Sequence, residues 1–487
     1  MISQVRKLQP EAVFNYFADI TQIPHPSGTK EPITAYMVAF AERHNLTWKK
    51  DATGNLLISK PASKGMEDRK KVILQGHLDM VPQKNSGVEH DFTKDPLKLI
   101  IDGDWLTADN TTLGADNGVG LATALAVLAD TTLKHGPIDA LFTVEEETGM
   151  DGAFGLTPDF LQADILINTD SEDEGELFVG CAGGENVTAS LVYQEESYKP
   201  DQEVALKVTL KGLKGGHSGL DINLGRGNAC KLMFRFLQQA VDQFDARLAW
   251  VEGGTLRNAI PREAFAMVVI SAEECDDFRD FVAQFDALYQ AEYAQTDAGV
   301  SLTVEETEMP AVVMPEDIQN DLIRVVLACK NGVETMSPSL PGVVGTSSNL
   351  AIVNARDGEI YLCILARGLA DSQKEALCVD LVSLFELADF KVERSGAYPG
   401  WNPDMNSSIL ALMKSTYHTL FGKEPEVKVI HAGLECGLIG AVNPALEMVS
   451  FGPTMRFPHS PDEKLLIPTV QRFYNHLVAV LEQIPVK

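Results

Sequence analysis

Residues 71–80, KVILQGHLDM, carry an apolar run, Val72, Ile73 and Leu74, that stops at a glycine and delivers His77 and Asp79 two positions apart. Such a run reads as a buried strand, and a strand end is a stiff mount at the edge of an open parallel sheet where ligands collect. His77 is therefore a candidate metal ligand, with Asp79 orienting its ring from behind. A structural histidine is the plainer reading of the pair taken alone. Four more stretches place acids or a histidine where a strand pattern stops. In 113–120, LGADNGVG, Asp116 precedes a run rich in Ala, Leu and Val, where it also suits a helix N-cap. In 143–149, TVEEETG, three glutamates are either a solvated loop or charges at a strand end that must find partners. In 165–170, ILINTD, Asp170 ends a strand, a place that a turn-forming aspartate also fills. In 451–463, FGPTMRFPHSPDE, His459 lies between Pro458 and Pro461 in a loop where solvent-facing histidines are common.

Taken together these sites say more. His77, Asp116, Glu147, Asp170 and His459 supply two imidazoles and three carboxylates, the inventory for two zinc ions about 3.5–4 Å apart, bridged by a carboxylate and a water. Such ions lower the pKa of that water. A carboxylate left unligated, Glu146 beside Glu147, would accept its proton and pass it to a leaving amine.

The elements that must position these residues alternate. Two amphipathic helices within 10–45 are broken by a Pro- and Gly-containing loop at 23–28, which forbids one continuous helix. Strands are predicted at 56–59, 72–75, 138–144 and 165–169, and a helix apolar on every face at 117–130. This order argues a doubly wound α/β sheet. Near Val187 the texture changes. Strands at 204–210, 255–258 and 264–270 accompany helices at 228–245 and 272–293. Strands at 300–304, 343–353, 359–365 and 390–395 then accompany helices at 317–330 and 371–387. The pattern reads as two βαββαβ-like halves of an inserted α+β lid. After a Gly- and Pro-containing loop the first texture returns, with helices at 407–421 and 470–483 and strands at 427–430 and 447–451. The expected organisation is a catalytic domain with a mixed sheet in two segments, 1–186 and 396–487, and an inserted lid at 187–395.

A chain of 487 residues exceeds what one core usually serves. Forty basic against 69 acidic residues leave a formal charge of -29, which repels phosphate backbones and anionic lipid and argues against nucleic-acid and membrane partners. The amino-terminal MISQVRKLQPEAVFNYF lacks the apolar core of a signal peptide, and no run of 18 apolar residues occurs, so a cytoplasmic protein is expected. Seven cysteines without a CxxC pair read as reduced, mostly buried thiols.

HLD, GADNGVG, EEETG, NTD, GGHSG and FGPTMRFPHSPDE, in this order across nearly the whole chain, resemble the dinuclear zinc aminopeptidase and carboxypeptidase family that includes carnosinases. The resemblance implies two zinc ions per chain, with manganese or cobalt as substitutes. Asp116 would bridge them, His77 and Asp170 would complete one site, and Glu147 and His459 the other. Asp79 would orient His77, and Glu146 would be the general base. An aspartate at position 170 resembles the dipeptidase and aminopeptidase branches and favours a substrate with a free amino terminus. The family places a histidine such as His217, in the glycine-rich turn GGHSG, over the scissile carbonyl to stabilise the oxyanion. Asn258 in LRNAIPR and Arg367 in LARG resemble residues that hold the substrate's carbonyl and terminal carboxylate; a planar guanidinium fork suits the latter. Either residue serves equally well as a structural one. HAGLECG, residues 431–437, resembles a segment typical of one bacterial branch, with Glu435 the candidate partner of the free amino group.

The activity implied is dipeptide hydrolysis, of Xaa-His and other carnosine-like dipeptides, by metal-bound hydroxide with Glu146 as base. An N-acyl-amino-acid hydrolase or tripeptide aminopeptidase of the same fold is one rival, and a metal-stabilised binding protein without turnover another. A homodimer is the family habit, although a duplicated lid would let one chain supply His217 to itself.

Overall fold

The run that carries His77 forms the strand Val72–His77, buried at every residue, in the middle of an eight-stranded mixed sheet. The computed structural model describes residues 2–198, 202–338 and 340–487. Val72–His77 pairs in parallel with Ile138–Thr143 on one side and Ile165–Asn168 on the other, and Ile165–Asn168 pairs in parallel with Glu447–Ser450. Leu56–Lys60, Thr47–Lys50 and Glu176–Cys181 extend this core antiparallel. Because the four central strands run the same way, their carboxyl ends share one edge: His77 stands opposite Thr143, and Asn168 opposite Gln75 and Ser450. In open sheets this is the edge at which ligands are held.

Helices Glu11–Ile20, Glu31–Arg43, Ala115–Ala129, Ser408–Phe421 and Ile467–Gln483 contribute Phe14, Phe17, Phe40, Leu125, Met413 and Phe473 to one core with the strand residues Leu74, Ile167 and Val449. Ala115–Ala129 is buried on nearly every face, as its unbroken Ala, Leu and Val content requires. A small four-stranded sheet joins Leu99–Asp102, Trp105–Ala108, Lys464–Leu466 and Met455–Arg456. The hairpin formed by the last two encloses His459. Its strands are too short to show a period in sequence.

The chain divides into two compact units, one of residues 1–180, 401–429 and 434–487, the other of 181–400 and 430–433. The second unit begins earlier and ends later than the cuts at 187 and 395 expected from composition. The reason is strand pairing: Gly183–Val192 lies against both Glu359–Gly368 and Lys391–Tyr398, with Gly184 opposite Tyr398. All the large strands of this unit form one antiparallel sheet.

Its two βαββαβ halves are nested. In one, Glu203–Lys211, helix Ala229–Phe244, Arg247–Gly253, Ala264–Ser271, helix Cys275–Glu292 and Ser301–Thr307 follow in sequence. In the other, Gly183–Val192 comes first, and helix Glu316–Ala328, Val344–Arg356, Glu359–Gly368, helix Asp371–Glu386 and Lys391–Tyr398 come only after the first half is complete. Val300–Val304, expected to open the second half, instead closes the first as part of Ser301–Thr307. The predicted strand at 255–258 is also absent: Gly254 turns there at φ +71°, and the strand lies earlier, at Arg247–Gly253, where a register shift between Leu248 and Trp250 blurs the alternation. The halves join through Arg247–Gly253 and Val344–Arg356. Among the described residues no helix is long and apolar enough to cross a membrane.

His476 tests the packing of the first unit. It is buried, places Nε2 2.9 Å from the Met413 carbonyl and stacks edgewise on Tyr417 and Phe451. Burial pulls its ring down to about 4 from the ordinary imidazole value. The unfolded chain therefore takes up a proton below about pH 6.5 that the folded chain refuses until about pH 4, and stability is lost as pH falls through that window. In metal-free protein, His476→Gln is expected to lower the slope of unfolding free energy against pH there by up to about 1.4 kcal/mol per unit. Parallel urea-unfolding profiles for the two proteins would refute this.

Candidate functional site

The site forms where the parallel strands stop. Gly76 is required because a Cβ there would lie 2.2 Å from Asn117 Oδ1. Asn117 in turn donates from Nδ2 to the Thr169 carbonyl (2.8 Å), tying the start of Ala115–Ala129 to the strand that ends before Asp170. Gly114, at φ +67°, makes the turn into that helix. Below this edge lies a buried polar layer: Asn168 donates to Gln75 Oε1 (2.6 Å), and Gln75 and Thr143 donate to Glu435 Oε2 (2.6 and 2.8 Å). A satisfied network of this kind fixes the strand ends against one another.

His77 and His459 approach Asp116 from opposite sides. His77 Nε2 lies 3.0 Å from Asp116 Oδ1 and 3.3 Å from Asp170 Oδ1, whereas His459 Nε2 lies 3.2 Å from Asp116 Oδ2 and 2.9 Å from Glu147 Oε2. Candidate ligand atoms of His77, Asp116 and Asp170, and of Asp116, Glu147 and His459, fall within 4.8 Å of one another, so Asp116 belongs to both groups and offers each one oxygen. Glu146 comes as close to His77 and Glu147. Glu147 Oε1 and Asp170 Oδ1 are buried without a hydrogen bond. Orphaned acceptors among like charges are the environment a divalent cation satisfies, and the donor set of imidazoles and carboxylates suits zinc.

The protonation preferences agree. Burial opposes charge on His77, but Asp170, Asp116 and Asp79 outweigh it and hold the ring well above the imidazole range. Hydrogen bonds to Asp116 and Glu147 raise His459 to about 11. Burial, with the charges of Asp116 and Glu435, raises Asp170 to about 8. Asp116 is held low because His459 and His77 outweigh its burial. Burial, followed by the charges of Asp170, Glu147 and Glu435, lifts Glu146 well above the carboxylate range although His77 opposes this. The cluster holds protons where it lacks positive charge.

Asp79 does more than orient His77. Its main-chain carbonyl is the atom nearest His77 Nδ1 (3.0 Å), and its carboxylate is farther (3.5 Å). That bond leaves Nε2 as the ligating nitrogen. The Asp79 carboxylate accepts from Ser27 Oγ (2.8 Å) and from the backbone N–H groups of Glu146 (3.0 Å) and Glu147 (3.3 Å). It thereby fastens the glutamate turn.

Glu435 departs from expectation. It is 2% exposed, its Oε2 accepts from Gln75 and Thr143 in the polar layer, and its Oε1 is buried without a hydrogen bond, so it does not face solvent as a free carboxylate. Its charge acts on Glu146 and Asp170 instead. Glu463 was overlooked. It is 2% exposed and accepts backbone N–H bonds from the Asp116 turn; the only signal was an acid four positions after His459 in the same motif.

In the second unit, His217 is half-buried, and its Nδ1 accepts from the N–H groups of Gly219 (3.2 Å) and Leu220 (3.0 Å). The proton of the neutral ring therefore sits on Nε2, which is left as a donor. Burial and Arg367 lower the ring to about 4, so it is neutral at pH 7. Arg367 is 3% exposed and donates to Tyr398 Oη (2.9 Å) and Ser218 Oγ (3.3 Å); its Nε is buried without a partner, and among the described residues it has no carboxylate partner. Asn258 is exposed, and its carbonyl accepts from Ser218 N (2.9 Å). His431, which the sequence reading left without a role, is buried against Ser347 Oγ (2.7 Å).

The profile of peptidase family M20/M25/M40 matches residues 73–483. The chain belongs to this family. It is 47% identical over 486 residues, all of both chains, to the cytosol non-specific dipeptidase of Escherichia coli strain K12. Among solved structures it resembles the aminoacylhistidine dipeptidase of Vibrio alginolyticus, with 46% identity, 99% of this chain and 98% of that chain covered, and a TM-score of 0.91. A tripeptidase from Staphylococcus aureus, at 16% identity, with 98% and 99% of the two chains covered and a TM-score of 0.56, shares the fold.

Metal-free protein titrated with Zn²⁺ is expected to take up two ions per chain. Asp116→Ala is expected to hold neither tightly, and Asp170→Ala to keep one. Two tight ions in the Asp116→Ala protein, read by calorimetry, would remove Asp116 as the shared ligand.

Proposed function

We propose that the protein is a di-zinc dipeptidase that hydrolyses Xaa-His and other dipeptides bearing a free amino terminus. The observation that carries this reading is Asp116 turning one oxygen toward each of two histidine–carboxylate groups, with the unshared carboxylate of Glu146 beside both. The names of the two relatives nearly half identical over the full chain support the substrate class. His77, Asp116 and Asp170 would hold one ion, and Asp116, Glu147 and His459 the other, with manganese or cobalt as substitutes. When bound, the ions polarise the peptide carbonyl and make a water acidic.

Glu146 accepts the proton of the attacking water and returns it to the departing amine. Its carboxylate lies beside candidate ligands of both groups, His77 and Glu147, which is where both transfers would occur. Asp79 keeps Glu146 and Glu147 in register through their N–H groups. His217 offers its Nε2–H to the oxygen on which charge develops, a task for a neutral ring with Nδ1 already occupied. Arg367, a buried fork without a carboxylate partner, suits the substrate's terminal carboxylate, and Asn258 its carbonyl. The acidic composition and the cytosolic relative favour action in the cytoplasm.

Glu146→Gln is expected to retain both ions and lower kcat by about 10²–10⁴. Near-normal turnover in that variant would overturn Glu146 as the base. In a dipeptide panel, free Xaa-His substrates are expected to be cleaved and their N-acetylated forms left intact. The reverse preference would favour the N-acyl-amino-acid hydrolase, and no cleavage at all by zinc-loaded protein would leave the binding protein.

A further inference from the structure

Four consecutive backbone N–H groups, those of Leu113, Gly114, Ala115 and Asp116, converge on the single carboxylate of Glu463. Leu113 and Gly114 donate to Oε2 (2.7 and 3.0 Å), and Ala115 and Asp116 to Oε1 (2.8 and 3.3 Å). The first N–H groups of a helix lack partners within it, and a nearby Ser, Thr, Asp or Asn ordinarily supplies one. Here the N-cap is Gly114, which has no side chain, and the acceptor comes from the far end of the chain. Among the described residues no Lys, Arg or His pairs with Glu463, so these N–H groups are its compensation for burial.

The position of Glu463 matters as much as its bonds. It follows His459 by four residues, and its own N–H donates to the Ser460 carbonyl (2.9 Å), while its carbonyl accepts from Thr107 Oγ1 (2.7 Å). One side chain therefore joins the loop that presents His459 to the turn that presents Asp116. His459 reaches Asp116 Oδ2 and Glu147 Oε2 from an exposed loop position with a positive φ, a conformation that its surroundings must hold in place.

We propose that Glu463 is a positioning residue that sets the distance between Asp116 and His459 and so tunes how tightly the centre binds its ions. The inference rests on the metal-centre reading above. Removing groups that orient ligands weakens metal affinity about 10–100-fold.

The test is chelator competition for Zn²⁺, read without substrate, on the full chain. Glu463→Gln, which keeps the shape but puts an amide N–H₂ where an acceptor is needed, is expected to bind zinc 10–100-fold more weakly, with kcat falling and KM little changed. The control is Glu447→Gln. Glu447 likewise accepts backbone N–H bonds at a helix start, from Ser408 and Ile409, but holds no candidate ligand. Unchanged zinc affinity in Glu463→Gln, or an equal loss in Glu447→Gln, would overturn the proposal. Should Glu463→Gln not fold, Glu463→Asp keeps the charge but is one methylene short, and it too is expected to bind zinc more weakly. Wild-type affinity in folded Glu463→Asp, or failure of both variants to fold in excess zinc, assigns Glu463 a purely structural role. Zinc weakening in a protein that cleaves no dipeptide would sink the proposed activity and leave this inference standing.

Discussion

Asp116, Glu147 and Asp170 crowd around two histidines at the edge of a buried sheet, and Glu146 and Glu435 add to the negative charge there. Water relieves little of this repulsion, because the side chains of Asp116, Asp170 and Glu147 are only 13, 12 and 5% exposed, although His459 is 52% exposed. The remaining routes are protons or cations. The raised values of His77, His459 and Asp170 describe the first, and divalent ions would supply the second with better geometry. Much of the first unit serves this concentration of charge: parallel strands that end together, a polar layer of Gln75, Thr143 and Asn168 beneath them, and backbone donors that brace the carboxylates from behind.

The strand ends that bring the candidate ligands together were legible because each announces itself locally. A run such as Val72–Leu74 or Ile165–Ile167 is apolar until it meets a polar residue, and a charge just past an internal strand must have a partner. The same reasoning missed Glu463, because its partners are backbone N–H groups, which leave no letter in a sequence. Glu435, expected beside the substrate's amino group, shows the same limit: its donors, Gln75 and Thr143, come from two other strands and leave no local signal.

The second unit was legible in kind but not in connection. Alternation showed strands and helices in a twice-repeated order, and one continuous antiparallel sheet is what they build. What alternation cannot show is which strand belongs to which repeat. The cut expected at 187 falls inside Gly183–Val192, whose neighbours are Glu359–Gly368 and Lys391–Tyr398. Pairing between such distant segments depends on register and shape, not on local composition.

This nesting bears on how the chain comes to be folded during its synthesis. Ile165–Asn168 leaves the ribosome long before its parallel neighbour Glu447–Ser450, and Gly183–Val192 long before either of its own. At roughly 5–20 residues per second, the wait is on the order of tens of seconds. Throughout it, apolar strand edges stand unpaired, the condition in which chains stick to one another or are captured by holding chaperones. Only when the last hundred or so residues emerge can His459 join Asp116 and Glu147, so a ribosome that stalls early releases a chain with most of its candidate ligands but not the last of them.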